Sequence, residues 1–230
     1  MSNNVLLNNV DHKDLRVHSK HGSEFGDAVM ASITFPAEFR DLQAHYPIAF
    51  RQTDQSGGFE PIALFGFMED ENLFLGKDRW DAAYVPLAIE RLPFLIGNNG
   101  GELMVHIDVD SPRVSKTEGE AIFLAHGGNT EFLERMNSVL LTIHQGLQST
   151  PAFVTALLEH QLLESFVVDI ELNDGSQNRL AGFYTINEDK LSTLDGTALE
   201  KLNKSGYLQA IYMVIASLSN FRALIERKNR

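Results

Sequence analysis

From residue 103 to 109 apolar side chains fall on every second position. Leu103, Val105, Ile107 and Val109 share one side, and Met104, His106 and Asp108 the other. A period of two belongs to a strand with one buried face. From residue 130 the period changes. Phe132, Met136, Val139, Leu140, Ile143 and Leu147 recur at helical spacing, with Thr130 placed to cap the helix. A chain that carries both periods, with its strands in turn-bounded pairs, reads as α+β.

The other segments follow from their punctuation. A strand is expected over 29–35. Pro36 then suits a first helical turn, with Glu38 near its positive end and Phe39, Leu42 and Tyr46 inward, until Pro47 stops it. Strands over 48–52 and 62–68 flank the turn cluster 54–58 and make a hairpin. A short strand is expected over 72–75. Segment 79–94 looks helical but is cut by Pro86 and Pro93, and Asn98 to Gly101 form a turn. Pro151 is expected to open a new helix with Phe153, Val154, Leu157, Leu158 and Leu162 inward. A second hairpin pairs 166–172 with 179–186 around Asn173, Asp174 and Gly175. Thr197 and Glu200 have capping-box spacing. The last helix is expected over 207–227, with a stripe of Leu208, Ile211, Tyr212, Ile215, Leu218 and Ile225.

Both return strands carry a central glycine, Gly66 and Gly182, which marks a bulge or a close backbone approach. The expected architecture is one compact α+β domain over 1–230, with two hairpin-bearing lobes and a helical C-terminal portion. The lobes read either as repeat halves, about 28–110 and 130–227, or as two hairpins alike in composition only.

The 230 residues contain no cysteine and carry a net charge of -12. Without cysteine there is no disulfide scaffold, thiolate metal site or cysteine nucleophile. The acidic balance argues against nonspecific nucleic-acid binding. No apolar run reaches the roughly 18–20 residues of a membrane helix, and no leader pattern precedes the first strand. The expectation is a cytoplasmic protein with no membrane span. Nucleophile-elbow, phosphate-loop and dinucleotide-binding patterns are all missing from the sequence.

Two groups of residues could carry chemistry. Arg79, Trp80 and Tyr84 combine a guanidinium with aromatic faces and polar handles, which suits a recognition surface for a peptide or carboxylate; a helix-entry segment with Trp80 in the core and Arg79 paired to an acid explains the same residues. His106 and Asp108 share one strand face, as a facial iron site requires, with His126, His144 or His160 as third ligand. An ordinary polar strand face explains the same pair. Glu69, Asp70 and Glu71 read as a solvated acidic turn, and His12, His18 and His21 as solvated loop. No cofactor is expected.

The series AHYPIAF, PIALFGFMEDENLFL, RWDAAYVPLAIERLPF, IDVDSPRV, RLAGFYTINEDKL and YLQAIYMVIASLSNFRALIERK resembles the SapC family of bacterial proteins, from about residue 15 to 228. The family pattern includes Ile107-Asp108 and Ser111-Pro112 but not His106, which weakens the iron reading. The family takes its name from a surface-layer system. Its relatives look to be encoded near outer-membrane receptors, flavin-dependent halogenases and cupin-like proteins. The resemblance therefore implies an accessory protein that binds a peptide, an amino-acid derivative or a partner enzyme such as a flavin-dependent halogenase, linked to envelope or uptake systems. The alternative is a metal-dependent oxygenase using His106 and Asp108. The resemblance is not to the transporter permease of the same name.

Overall fold

The computed structural model describes residues 3–53, 58–77 and 79–230. Most of the turn cluster expected over 54–58 lies outside the described residues. The fold is α+β, and the chain sorts into two units, each assembled from separate stretches.

The first unit holds Met1–Asp27, Leu75–Asp81 and Leu87–Gln145. Its main sheet is antiparallel, ordered β1-β9-β8, from β1 (Asn4–Leu6), β8 (Phe94–Asn99) and β9 (Glu102–Asp108). The alternating segment is β9, with Ile107 fully buried. Gly100 and Gly101 turn the hairpin at φ of 64° and 99°, a region glycine enters without strain. Segment 79–94 is not a helix. It divides into strand β7 (Arg79–Trp80), one helical turn α2 (Leu87–Glu90) and the start of β8. The two prolines explain the division, since a proline is favoured in the first turn of a helix and destabilises one that continues through it. β7 pairs with β6 (Leu75–Gly76), and β2 (Arg16–Val17) lies between β10 (Val114–Ser115) and β11 (Glu120–Ala121). Helix α3 (Glu131–Glu159) begins in this unit. The Thr130 hydroxyl accepts from Leu133 N at 3.3 Å, as its capping position requires.

The second unit holds Ala28–Phe74, Ala82–Pro86 and Gly146–Arg230. Both expected hairpins lie here, joined into one antiparallel sheet ordered β12-β13-β4-β5-β3. Its strands are β3 (Ala31–Ile33), β4 (Ile48–Gln52), β5 (Phe59–Leu64), β12 (Leu163–Glu171) and β13 (Gln177–Ile186). Phe183 and Tyr184 of β13 pair with Arg51 and Phe50 of β4. Along β12–β13 the register shifts between Phe166 and Val168, and Ala181 and Gly182 together face Val167. Gly182 sits in this bulge at φ 87°. Gly66 has a different reason. It lies beyond the end of β5, where a Cβ would come within 2.5 Å of the Glu71 carbonyl oxygen.

Three helical expectations are corrected in this unit. Pro151 lies inside α3 and does not open a new helix. The Thr150 hydroxyl donates to Gly146 O at 2.9 Å, and Phe153 and Leu157 anchor the continuing helix in the core. Tertiary burial thus outweighs the lost backbone bond. Thr197 does not cap its helix. Asp195 does, accepting from Ala198 N at 2.8 Å before α5 (Gly196–Lys204). Short α1 (Phe39–Leu42) and α4 (Glu188–Ser192) complete the smaller helices. The last helix is two, α6 (Tyr207–Ser217) and α7 (Asn220–Lys228). Their buried row is Ala210, Ile211, Val214, Ser217, Phe221 and Leu224, while Tyr212 is 54% exposed. Residues 207–218 are apolar almost all round, so periodicity alone cannot choose the inward face.

By length and composition alone, Tyr207–Lys228 could cross a membrane, against the expectation that no stretch could. A core helix passes the same test. Here Ser217 Oγ accepts from Ile48 N at 2.9 Å and donates to Val214 O at 2.6 Å, which ties α6 to β4. Asn220 Nδ2 donates to Gln43 O at 2.7 Å.

Candidate functional site

Arg79, Trp80 and Tyr84 fall in different units. Arg79 is exposed, whereas Trp80 is 7% exposed and meets the His21 ring edge-on at 5.6 Å. Little of the indole is left for a ligand. In the second unit the Tyr84 hydroxyl donates to Glu38 Oε1 at 3.0 Å, and its carbonyl accepts from the Tyr46 hydroxyl. Glu38, 3% exposed, also accepts from Thr34 Oγ1 at 2.6 Å. Two hydroxyl donors here solvate a buried carboxylate, as burial of such a group demands.

His106 and Asp108 do share a face of β9, and neither is turned toward a metal cluster. The His106 ring lies over Gly97 of β8, where a Cβ would approach within 2.5 Å of it. Its Nδ1 is 3.3 Å from Met104 O. Asp108 Oδ1 accepts from Asn3 N at 2.8 Å and Asp110 N at 3.2 Å, so it organises the end of its own strand. Among the described residues no three His, Asp or Glu side chains converge in a manner that could hold a metal ion.

A buried polar cluster in the first unit has no counterpart in the sequence reading. Asp27 is fully buried and Arg113 is 2% exposed. One Arg113 Nη contacts both Asp27 oxygens, at 2.5 and 2.6 Å, and the other donates to His18 O and Lys20 O. Gly22 N donates to Asp27 Oδ2 at 3.0 Å, and His21 Nδ1 lies 3.2 Å from the same oxygen. Burial pushes the Asp27 carboxyl up. Hydrogen bonds from His21, the Arg113 guanidinium and Gly22 N–H outweigh that and hold it below the ordinary value. The ionised carboxylate accepts from His21, which places the imidazole proton on Nδ1. The cluster fastens residues 18–27 to the loop bearing Arg113. His21 was expected as solvated loop and is instead a partner in it. Arg113 lies in IDVDSPRV, but no local pattern points to Asp27, 86 positions away.

Among the described residues a ligand-like concavity lies within the second unit. A solvent-open groove of about 460 Å³ runs between the 147–158 face of α3 and the ends of β3 and β5. Its walls are mainly apolar, including Ile33, Pro61, Val154 and the exposed Leu147 and Leu158, with Thr155 among them. Glu60 stands at the rim. Its Oε1 accepts from Arg51 Nε at 3.0 Å and from Arg51 Nη at 2.5 Å. Among the described residues Oε2 has no hydrogen-bond partner. Small-molecule sites have this size and this mix of apolar wall and few polar groups. Two hollows elsewhere have polar walls: one at the β12–β13 tip, the other beside Glu131 and Arg135.

Residues 7–224 match the SapC family model. The chain belongs to the SapC family. The match covers nearly all of both units, so groove and buried cluster both lie within the SapC region. No curated protein and no solved structure matches this SapC-family chain.

Proposed function

We propose that the chain is an accessory binding protein that takes the apolar side chain of a peptide or amino-acid derivative into the α3–β5 groove. The observation that carries this reading is the groove itself: apolar walls, two exposed leucines, and one carboxylate oxygen open at the rim. The apolar walls suit an aliphatic or aromatic side chain. Glu60 Oε2 suits the ammonium or amide N–H that such a ligand carries beside it. An accessory role also accords with the company that SapC relatives keep. Leucinamide is a sufficient probe. Calorimetric titration should show saturable binding, with a Kd between micromolar and millimolar for so small a ligand. Leu158→Arg places a charge in the wall and should remove the signal without lowering the melting temperature, because Leu158 is 44% exposed. No saturable heat with leucinamide or its phenylalanine analogue would overturn the reading.

A further inference from the structure

We propose that the outer edge of β3 accepts an extended basic peptide as an added strand, with one of the peptide's apolar side chains seated in the groove. This rests on the groove reading and adds the mode of binding and the charge of the partner.

The register fixes which backbone groups are free. Ala31, Ser32 and Ile33 pair with Leu64, Ala63 and Ile62. Thr34 N donates to Pro61 O at 3.0 Å, and Phe65 N donates to Met30 O at 2.7 Å. Hydrogen-bonded positions alternate in an antiparallel pair, so Met30, Ser32 and Thr34 bond inward and Ala31 and Ile33 point their N–H and C=O outward. β3 ends the sheet order. Among the described residues no hydrogen bond reaches the backbone groups of Ala31 or Ile33. Ile33 also lines the groove, so a residue paired beside it lies at the groove mouth.

The opposite edge of the same sheet is guarded. β12 carries exposed Glu164, Asp169 and Glu171, and its ladder with β13 is bulged. Charge and irregularity are the usual devices against added strands. β3, with Ala31, Ser32 and Ile33, has neither. A two-fold copy of this chain is a poor occupant. Three residues of strand extend only about 10 Å, and pairing over so short a length falls well below the ~1,000 Å² of a stable dimer interface. A separate peptide fills both edge and groove. Its basic character follows from the open oxygen of Glu60 at the rim and the chain's net charge of -12.

The test uses a fluorescent, end-capped Lys-Leu-Thr-Leu-Thr-Leu-Lys peptide and two versions of it, one N-methylated at the leucines and one at the threonines. Only one set of nitrogens faces β3. Anisotropy should show the parent peptide binding and one methylated version, not both, at least tenfold weaker. Ala31→Pro removes an outward donor while leaving the β3–β5 bonds, and should weaken the parent by a similar factor. Equal binding of all three peptides would overturn strand addition and leave the groove reading intact. So would failure of the parent peptide where leucinamide still binds. A concentration-dependent doubling of mass without peptide binding would assign the edge to a second copy and overturn the proposal. Failure of leucinamide as well would overturn both readings.

Discussion

Arg113 and Asp27 show what one buried pair can hold in place. Removing the guanidinium leaves an ionised carboxylate in the interior without its cationic partner, though His21 and Gly22 N–H still meet it. Arg113→Met should therefore cost about 3–5 kcal/mol, the range for breaking a buried pair from one side. Chemical denaturation of the variant measures it, and a loss below about 1 kcal/mol would mean that the pair is solvated. The same pair sets an acid limit. The folded pKa of Asp27 lies below its unfolded value, near 3.9. Its stabilisation is complete above the unfolded pKa and fades as pH falls through the folded one. A stability-against-pH curve should decline on that acid side, and Arg113→Met should flatten it. Neither partner was legible as such, because residues 86 positions apart leave no periodic trace. Gly182 was legible, since a glycine inside an alternating strand asks for a reason. Gly182→Val forces a β-branched residue to φ 87° and should cost about 1–2 kcal/mol in a thermal or denaturant melt. A wild-type melt would remove the bulge explanation.

Elements follow local signals until burial overrides them. The strand over 48–52 was legible to the residue, because Pro47 and a turn cluster bound it. Strand β8 was hidden inside an apolar segment that suits a buried helix or a buried strand equally well. Helix α3 runs through Pro151 because its apolar face continues on both sides of the proline. Pro151→Ala restores one backbone donor, and the variant should gain on the order of 1–3 kcal/mol in a denaturant melt. No gain would mean that the proline ring is itself packed in place. In α6 the two faces should separate cleanly. Val214→Asp buries a charge beside β4 and should unfold the chain, whereas Tyr212→Asp should fold. Circular dichroism distinguishes them, and the reverse order would place the wrong face inward.

At the scale of the whole molecule, mixed periods identified the α+β class, but nothing local could show how the segments interleave. The five-stranded sheet takes three strands from before residue 65 and two from after residue 162. A fragment over 130–230 keeps β12 and β13 without β3, β4 or β5, and should show no cooperative melt; a cooperative transition would mean that the later strands and helices fold unaided. The groove was equally invisible in the sequence, because β3, β5 and α3 meet there from distant stretches. The 147–158 face read simply as helix core. Only in three dimensions do Leu147 and Leu158 stand exposed around a concavity. Methyl NMR of the full chain during titration with leucinamide tests the binding claim most directly. The methyl signals of Leu147, Val154 and Leu158 should shift together and saturate, while those of Ile107 and Ile211 stay in place. Unmoved groove methyls at saturating leucinamide, or shifts confined to residues outside the groove, would contradict it.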